Sequence, residues 1–382
     1  WRRLILYVLF LLLIFHIGGG WYFADQLRVD ALVPDNEADT EDVTLREVGN
    51  GQVTLEAVED REPDLTAAGL TGLDWGTGYG QVGEILSEDD DGSVTRGMTR
   101  IEGESPTAGM LGRLDGSAFP GDPQRAFGLT FSEIEYQSPV GAVRAWEILA
   151  PGDIWVIHVH GLGAPRTEAL RLVRPVADAG YPQLVIGYRN DLDEPADPSG
   201  YYRYGQTEWE DVGAAVDLAV ERGASQVVLV GYSTGASHIL SYLYRTPDAP
   251  VAAAIFDAPN IDFEQTVDLG ASQRNLPLIP LKVPGSLVWV AKRIASLRFS
   301  LDWSAIDYIA RADQLQVPVL VFHGAEDATV PLASSQEFAA ARPDLVRLVI
   351  VADAGHVRSW NVGPESYERR VTEFLSEVAG LD

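Results

Sequence analysis

The second half of the chain alternates short apolar runs with segments of helical periodicity. The apolar runs, each bounded by turn residues or a polar break, are IWVIHVHG, QLVIGY, QVVLVGY, AAAIFDAP, VPVLVFHG and VRLVIV. Between two of them, WEDVGAAVDLAVERG has apolar residues at helical spacing and ends on a glycine, as helices commonly do. Continuous apolar strands separated by helices are typical of a mostly parallel sheet with helices on both faces. The pattern predicts an α/β domain over residues 128–382 that begins with an antiparallel pair, FSEIEYQSP and AVRAWEILAP.

Residues 25–127 have a different pattern, in which short runs of alternating polarity are broken by turns. The run DVTLREVGNGQVTLEAV places two strand-like stretches around Asn50 and Gly51, which is a hairpin signal. About 100 residues are too few for a β-propeller. We therefore predict a linker and a small accessory β-rich domain, in which the sequence offers no catalytic constellation.

The N-terminal segment Leu4–Ala24 carries no formal charge, and about 20 such residues are enough to cross a bilayer as a helix. Arg2 and Arg3 precede it and the acidic segment Asp25–Asp42 follows it, so the positive-inside rule predicts a cytoplasmic N-terminus. We expect residues 1–24 to be a single-pass anchor in the cell membrane, with the α/β domain outside the cytoplasm. The alternative is a cleaved signal peptide, but no small-residue cleavage site ends the run.

The charge of the chain limits its partners. Aspartate and glutamate number 56 against 28 lysines and arginines, which gives a formal net charge of -28. Such a surface repels phosphate backbones, so we expect no nucleic-acid partner. The absence of cysteine excludes disulfides, thiolate nucleophiles and cysteine metal sites. We expect neither a metal nor an organic cofactor.

One apolar run leads directly into a helical pattern through a serine between glycines, in VVLVGYSTGASHIL. A sharp turn from strand to helix would hold Ser233 at the carboxyl edge of the sheet, where parallel sheets bind ligands. Gly231 and Gly235 remove the Cβ atoms that would crowd this turn, and the helix N-terminus favours developing negative charge. Ser233 is therefore the candidate nucleophile. The alternative is a plain helix N-cap.

A nucleophilic serine needs a base, and elimination among the six histidines leaves His356. His356 follows the last apolar run, in the loop VADAGHVRSWN. The others lie in the membrane segment, inside a strand, at two strand ends and on the helix after the serine: His16, His158, His160, His323 and His238. We expect His16 to be tolerated near the membrane interface, because a single helix supplies no partner for it.

The base needs a carboxylate that orients its ring and stabilises the imidazolium. Asp327 follows a buried run in VLVFHGAEDATVP and lies between Ser233 and His356 in the chain. We expect the adjacent Glu326 to be solvated. Asp257, which ends the preceding run in FDAPN, is the competitor because it also lies at the carboxyl edge. We prefer Asp327, whose loop lies one strand before the histidine loop.

Residues 128–382 resemble the α/β-hydrolase superfamily. The resemblance rests on the sharp turn at Ser233, which we call the elbow, and on the runs HGLG, HGAEDATVP and AGH, in this order and spacing. The resemblance is to serine esterase and lipase-like members, and YRND, YRYGQTEWEDV, GYSTGA and SWN are similar to membrane-anchored bacterial, actinobacterial-looking hydrolases. It implies an oxyanion hole from the backbone N–H groups of Thr234 and of Leu162, the residue after Gly161. Each such donor typically contributes about 2.7 to 4 kcal/mol. A serine at the elbow, rather than an aspartate, argues against haloalkane dehalogenase and epoxide hydrolase chemistry.

These residues imply acyl transfer to water through an acyl-enzyme. We expect hydrolysis of a carboxylic ester or thioester, with a small-molecule or lipid-like ester as the substrate. A serine peptidase or an acyltransferase with the same triad is the alternative, and a catalytically silent binding protein is the third hypothesis.

Substrate choice is expected to lie in a candidate lid, residues 260–311, whose run VPGSLVWVAKRIASLRFSLDW has one apolar helical face. The alternative is a surface helix packed on the sheet, because an amphipathic pattern reports burial alone. Tyr188, Arg189 and Asn190 end a strand at the site edge, and we expect them to line the pocket. For Arg189 a structural ion pair is the alternative.

Overall fold

The computed structural model describes residues 1–34, 40–277 and 279–380. In chain order these residues form an N-terminal helix, a closed β-barrel and an α/β domain. The predicted acidic segment lies partly outside the described residues, and so do the last two residues of the predicted hydrolase domain.

The N-terminal helix α1 (Arg2–Leu27) contains the predicted apolar segment and continues as a π-helical turn over Arg28–Leu32. By its length, and by a mean hydropathy of 2.2 over an 18-residue stretch, it can span a membrane, although a signal sequence passes the same test. Its first half is exposed along its whole length. Its end is different, because Ala24 and Leu32 are buried in the core of the α/β domain. The helix therefore begins free of protein contacts and ends as part of the folded domain.

The small β-rich domain is a closed six-stranded barrel with strand order 1-2-5-4-3-6. Its strands are β1 (Val43–Gly49), β2 (Gln52–Ala57), β3 (Thr71–Asp74), β4 (Gly78–Glu88), β5 (Val94–Gly103) and β6 (Leu111–Asp115). The predicted hairpin joins β1 and β2, with Asn50 and Gly51 at φ of 53° and 74°, in the left-handed region that a tight turn requires. Inward-facing apolar side chains, such as those of Leu45, Val53 and Val82, fill the barrel.

The centre of the α/β domain is an eight-stranded sheet. Its strands are β7 (Ser132–Ser138), β8 (Gly141–Ile148), β9 (Ile154–Val159), β10 (Gln183–Ile186), β11 (Gln226–Tyr232), β12 (Val251–Asp257), β13 (Val319–Gly324) and β14 (Val346–Val351). They lie in the order β14-β13-β12-β11-β9-β10-β8-β7. Strands β9 to β14 are parallel, and β7 and β8 form an antiparallel pair at one edge. The predicted mostly parallel sheet is confirmed.

Helices cover both faces of this sheet, because neighbouring strand residues point to opposite sides. In β9, Val156 contributes to one hydrophobic core and Ile157 to the other. The first core also contains α3 (Leu170–Asp178), α9 (Ser359–Val362) and α10 (Pro364–Ala379). The second contains α4 (Trp209–Glu221), α5 (Thr234–Arg245) and α8 (Leu332–Ala341). The remaining helices are α2 (Pro123–Phe127), before the sheet, and α6 (Phe263–Gln273) and α7 (Gly285–Phe299), between β12 and β13.

Candidate active site

The turn between β11 and α5 holds Ser233 in a strained conformation, with φ of 47° and ψ of -114°. A non-glycine residue in such a region costs about 1–3 kcal/mol, which the surrounding fold must offset. A Cβ on Gly231 would lie 2.7 Å from the backbone nitrogen of Ala236, and one on Gly235 would lie 2.2 Å from the carbonyl oxygen of Val159. Both glycines are therefore required for the tight turn that was predicted at this serine.

His356 and Asp327 reach Ser233 from two neighbouring loops. The Nε2 of His356 lies 2.9 Å from the serine Oγ, and its Nδ1 lies 2.8 Å from Oδ2 of Asp327. The loops can meet because Gly324 ends β13 directly against the histidine loop, where a Cβ would lie 2.1 Å from the carbonyl oxygen of Ala354. The structure thus joins the three side chains in one chain of hydrogen bonds.

The carboxylate of Asp327 is fully buried and held as an anion. Burial raises its pKa, but hydrogen bonds from His323 and His356 outweigh burial and lower the pKa well below its ordinary value. The backbone N–H groups of Thr329 and Val330 each donate to Oδ1 at 2.8 Å. Asp327 is therefore ionised and fixed in orientation. The support from His323, whose Nε2 lies 3.4 Å from Oδ2, had no signal in the sequence beyond its place at a strand end.

The competing carboxylate, Asp257, does not contact His356. It is buried below the elbow, where its Oδ1 accepts a hydrogen bond from the hydroxyl of Ser359 at 2.8 Å. Burial raises its pKa to about 6, against the opposing effects of Arg171 and Ser359. The neighbour of Asp327, Glu326, is exposed. Geometry therefore separates the three carboxylates, and only Asp327 touches the imidazole.

The two amides proposed for an oxyanion hole lie beside the serine. Thr234 begins α5 directly after Ser233, and Leu162 borders the same cavity as Ser233. Within the described parts of the chain, neither backbone N–H donates to a protein acceptor. The N–H of Gly161, in contrast, donates to Oε2 of Glu168 at 2.8 Å. Gly161 itself packs on the elbow, since a Cβ there would lie 3.2 Å from the Cβ of Ser233.

Three further histidines of the α/β domain, His158, His160 and His238, lie away from Ser233. His158 pairs with Gln183 at 2.9 Å, and His160 pairs with Asp191 at 2.8 Å. Burial lowers the pKa of His158 to about 4 and that of His238 to about 3, so both rings are neutral near pH 7. None of these three rings contacts Ser233.

The strand end at Tyr188, Arg189 and Asn190 does not line the cavity at Ser233, so this prediction is wrong. The guanidinium of Arg189 is buried and forms ion pairs with Asp197, Glu210 and Asp211. A buried cation needs this many partners because its desolvation is costly. The alternative assignment of Arg189, as a structural residue, is the one that the structure supports.

A cavity of about 660 Å³ opens in front of Ser233 and His356, between the barrel and the α/β domain. Its volume lies within the range of about 300–1,000 Å³ that is typical of small-molecule sites. The α/β domain contributes Gly161, Leu162, Glu168, Arg171, Val357 and Arg358. The barrel and the segment after it contribute Asp74, Tyr79, Arg113, Asp115, Phe119 and Arg125. The sequence offered no sign that the accessory domain forms a wall of the site.

The barrel is attached through the segment that follows His356, which includes α9. Asn361 donates from Nδ2 to the carbonyl oxygens of Leu70 and Gly116, at 2.7 and 2.9 Å. Arg358 donates from Nη2 to Oγ1 of Thr71 at 2.6 Å. The run SWN, which contains Asn361, was noted only as part of a family resemblance. Its structural role is to join the barrel to the histidine loop.

The candidate lid, residues 260–311, does not lie over the cavity at Ser233 in its described part. Among its described residues, 260–277 and 279–311, none lines the cavity at Ser233. Its helix α7 packs along α1 instead, with Leu287 against Gly19 and Val290 against Gly20. The predicted apolar face of this helix is thus real, but it faces the N-terminal helix and not the active site.

A metal site needs several ligands close together. Across residues 1–34, 40–277 and 279–380, no group of three or more histidine, aspartate or glutamate side chains is arranged to hold a metal ion. The expectation that the chain needs no metal or cofactor stays a prediction.

Comparison with known proteins agrees with this fold. The family model of the prolyl oligopeptidase family matches residues 197–382, which include Ser233, Asp327 and His356. The esterase Pf2001 of Pyrococcus furiosus superposes with a TM-score of 0.53 at 23% identity, covering 68% of this chain and 95% of that one. This similarity shows the fold.

Two curated proteins are distantly similar in sequence. The uncharacterized protein YqkD of Bacillus subtilis is 23% identical over 60% of this chain and 74% of its own length. Dipeptidyl aminopeptidase BIII of Pseudoxanthomonas mexicana is 26% identical over 61% of this chain, but the match spans only 33% of that protein. Together with the fold, these matches support a hydrolase of the α/β-hydrolase type.

Proposed function

We propose that the chain is a serine hydrolase of the α/β-hydrolase type that cleaves carboxylic esters or thioesters, which its fold and its match to the prolyl oligopeptidase family model support. The observation that carries this proposal is the hydrogen-bonded chain from Ser233 through His356 to Asp327, facing a cavity of about 660 Å³. A serine alone is a weak nucleophile, and an imidazole held by a buried carboxylate is the arrangement that activates it.

The mechanism follows from the positions of these groups. Ser233 Oγ attacks the substrate carbonyl carbon while His356 Nε2 accepts the hydroxyl proton. The developing oxyanion is stabilised by the N–H groups of Thr234 and Leu162. The imidazolium, stabilised by Asp327, then donates its proton to the leaving alkoxide or thiolate. In the second half of the cycle, His356 takes a proton from water, the resulting hydroxide attacks the acyl carbon, and Ser233 leaves with that proton as the acid is released.

A peptidase or an acyltransferase with the same triad is the second candidate, and a specific observation favours peptide cleavage. The matching family is named for prolyl oligopeptidases, and one similar protein is a dipeptidyl aminopeptidase. The triad serves either reaction, because peptide cleavage differs in the leaving group, an amine that must be protonated by His356 as it departs.

The cavity favours substrates of moderate size. Its walls come from two domains and carry both signs of charge, including Asp115, Glu168, Arg125 and Arg171. Such walls suit an ester with polar groups beside its scissile bond more than a plain hydrocarbon chain. A small-molecule or lipid-derived ester is the class that we propose.

We also propose that α1 stays on the mature protein as a single-pass anchor, with its N-terminus in the cytoplasm and the hydrolase outside. Its retention is supported by packing of the apolar run itself: Ala24 is buried in the core of the α/β domain, and Trp21 stacks on the guanidinium of Arg298 at 3.9 Å. Cleavage after the apolar run would remove these contacts. Protease added to intact cells should digest the hydrolase domain, and complete protection would rule out this topology.

A fluorophosphonate probe tests the nucleophile. The wild-type chain should be labelled and Ser233→Ala should not, while Ser237→Ala, which changes a buried serine one helical turn further on, should keep its labelling. Labelling that persists in Ser233→Ala would refute the assignment. A series of acyl esters of increasing chain length, measured beside aminoacyl amides, then separates an esterase from a peptidase.

A further inference from the structure

Helices α1 and α7 lie side by side and run in the same direction. His16 Nε2 lies 3.0 Å from the hydroxyl of Ser286, at the start of α7. Further along, Gly20 faces Val290, and Asp25 pairs with Arg298 at 2.9 Å. These three contacts fix the position of α7 along the axis of α1.

This pairing sets the depth of α7 if α1 spans a bilayer. A span that begins at Leu4 and rises 1.5 Å per residue crosses about 30 Å of hydrocarbon near Phe23. Trp21 and Tyr22 then lie at the interface, where such side chains are favoured. His16 lies about 10 Å deeper, and so does the start of α7, which contacts it.

The first half of α7 and the segment that leads into it consist mostly of residues that lipid accepts. In residues 279–291, IPLKVPGSLVWVA, Lys282 is the single charged residue, and its Nζ donates to the carbonyl oxygen of Gln273 at 2.8 Å. The side chains of Ile279, Leu281 and Trp289 are exposed by 50%, 61% and 57%. In water these side chains would leave a large apolar surface uncovered.

Charge returns to both helices at the same level. On α7 it begins at Lys292, which pairs with Glu264 and Asp268 at 2.8 and 2.7 Å. On α1 it begins at Asp25, which pairs with Arg298, and the guanidinium of Arg298 also stacks on Trp21 at 3.9 Å. A shared boundary between apolar and charged residues is what a membrane surface imposes on adjacent helices.

The contact between His16 and Ser286 corrects the expectation that this histidine has no partner. Its Nδ1 also lies 2.8 Å from the carbonyl oxygen of Leu12. Polar groups within hydrocarbon need internal partners, because water is absent there. Both ring nitrogens of His16 therefore have partners at the depth at which they are needed.

We propose that residues 279–291 enter the outer leaflet beside α1, so that the enzyme touches the bilayer through a surface segment as well as through its span. The occupant of this apolar surface is the acyl-chain region of that leaflet. The proposal rests on the anchor proposed above and is independent of the triad. It fixes the orientation of the α/β domain, which a flexible single-span tether would leave free.

Site-directed labelling tests this directly, since the chain has no cysteine. Single cysteines at Trp289, Leu281, Phe10 and Leu149 are labelled with an environment-sensitive fluorophore in the full-length protein. The protein is reconstituted into phosphatidylcholine and phosphatidylglycerol vesicles. Phe10 is the control for the span, and Leu149, exposed by 71% in the turn between β8 and β9, is the control for water.

Labels at 289, 281 and 10 should emit at shorter wavelength than the label at 149. Nitroxides on the lipid acyl chains should quench these three labels, and iodide in the water should not. The label at 149 should be quenched by iodide and not by the nitroxides. Iodide quenching at 289 and 281, with lipid quenching at 10, would overturn the proposal and leave the anchor intact. Shielding of 289 from both quenchers would also overturn it, because a second copy or another protein would then cover the surface. Iodide quenching at 10 would refute the span itself, while fluorophosphonate labelling of Ser233 would stand unaffected.

Discussion

The α/β domain carries two added elements, the barrel and α1, which contact it at different places. The barrel lies on the loop after His356 and forms one wall of the cavity. The helix lies on α7 and borders a separate groove of about 320 Å³, whose lining contains neither Ser233 nor His356. We therefore propose different roles for them: the barrel controls which substrates reach the serine, and the helix controls where the protein is held.

The contact of the barrel and the contact of α1 with the α/β domain also differ in chemistry. Asn361 and Arg358 hold the barrel through hydrogen bonds to Leu70, Gly116 and Thr71, which suits an interface formed in water. Gly19 and Gly20 instead let α1 approach α7 closely, which is the packing that helices use within membranes. Each contact therefore matches the solvent proposed for it.

The largest effect is expected from the catalytic chain, which belongs to neither contact. Asp327→Asn should lower kcat by about 10⁴-fold, because an amide does not stabilise the imidazolium and favours the wrong ring tautomer. The measurement is ester hydrolysis under saturating substrate. Glu326→Gln is the matched control and should leave kcat nearly unchanged, since Glu326 is exposed. A loss in Asp327→Asn no greater than in the control would remove Asp327 from the mechanism.

The second prediction concerns Asp257, which accepts a hydrogen bond from Ser359 at the start of α9, the helix that contacts the barrel. Its pKa of about 6 in the folded protein exceeds the ordinary value of 3.8, so the native state binds its proton more tightly than the unfolded chain. The free energy of unfolding should therefore fall as pH rises from about 4 to about 6, by roughly 3 kcal/mol. Denaturant unfolding across this range measures it.

The control for this pH dependence is Asp257→Asn, which has no carboxyl to titrate and should lack the decline assigned to Asp257. At pH values above 6 the variant should gain stability relative to wild type, and kcat should change little because Asp257 does not touch His356. An equal decline in both proteins would assign the pH dependence to other groups.

The sheet and the elbow could be predicted because their signals are local. A glycine on each side of Ser233 and an apolar run before it define one strand, one turn and one helix. The parallel arrangement then brings the loops after β13 and β14 to the same edge, so Asp327 and His356 could be proposed from chain order alone.

The wall that the barrel contributes to the cavity could not be predicted, because it depends on contacts between residues far apart in the chain. Asn361 meets Leu70 across 291 positions, and neither residue type indicates such a partner. The apolar face of α7 was predicted correctly, but periodicity reports that a face is buried and does not say against what. A helix that packs on α1 therefore has the same sequence pattern as a lid.

The third prediction tests the barrel contact. Asn361→Ala removes the hydrogen bonds to Leu70 and Gly116 and should lower kcat/KM by about tenfold, since each lost hydrogen bond to a buried group costs roughly 1–3 kcal/mol, part of which loosens the cavity wall. The loss should depend on the size of the ester. Asn190→Ala, which removes another buried asparagine away from the barrel, is the control. It should reduce stability without changing the ratio of kcat/KM between small and large esters.

The smallest effect on catalysis is expected at the contact with α1. A Cβ on Gly20 would lie 2.5 Å from Cγ1 of Val290, so Gly20→Leu should separate α1 from α7 and reduce stability in detergent by about 1–3 kcal/mol. A Cβ on Gly18 would have no atom within 4 Å, so Gly18→Leu adds the same bulk to the same helix without disturbing the contact. Thermal unfolding should therefore distinguish the two variants, whereas kcat/KM for a water-soluble ester should equal the wild-type value in both. Gly20→Leu could instead impair hydrolysis as strongly as Asn361→Ala does. In that case α1 would act on the active site through α7. The proposed division, in which the barrel shapes the cavity and the helix only positions the enzyme, would then be wrong.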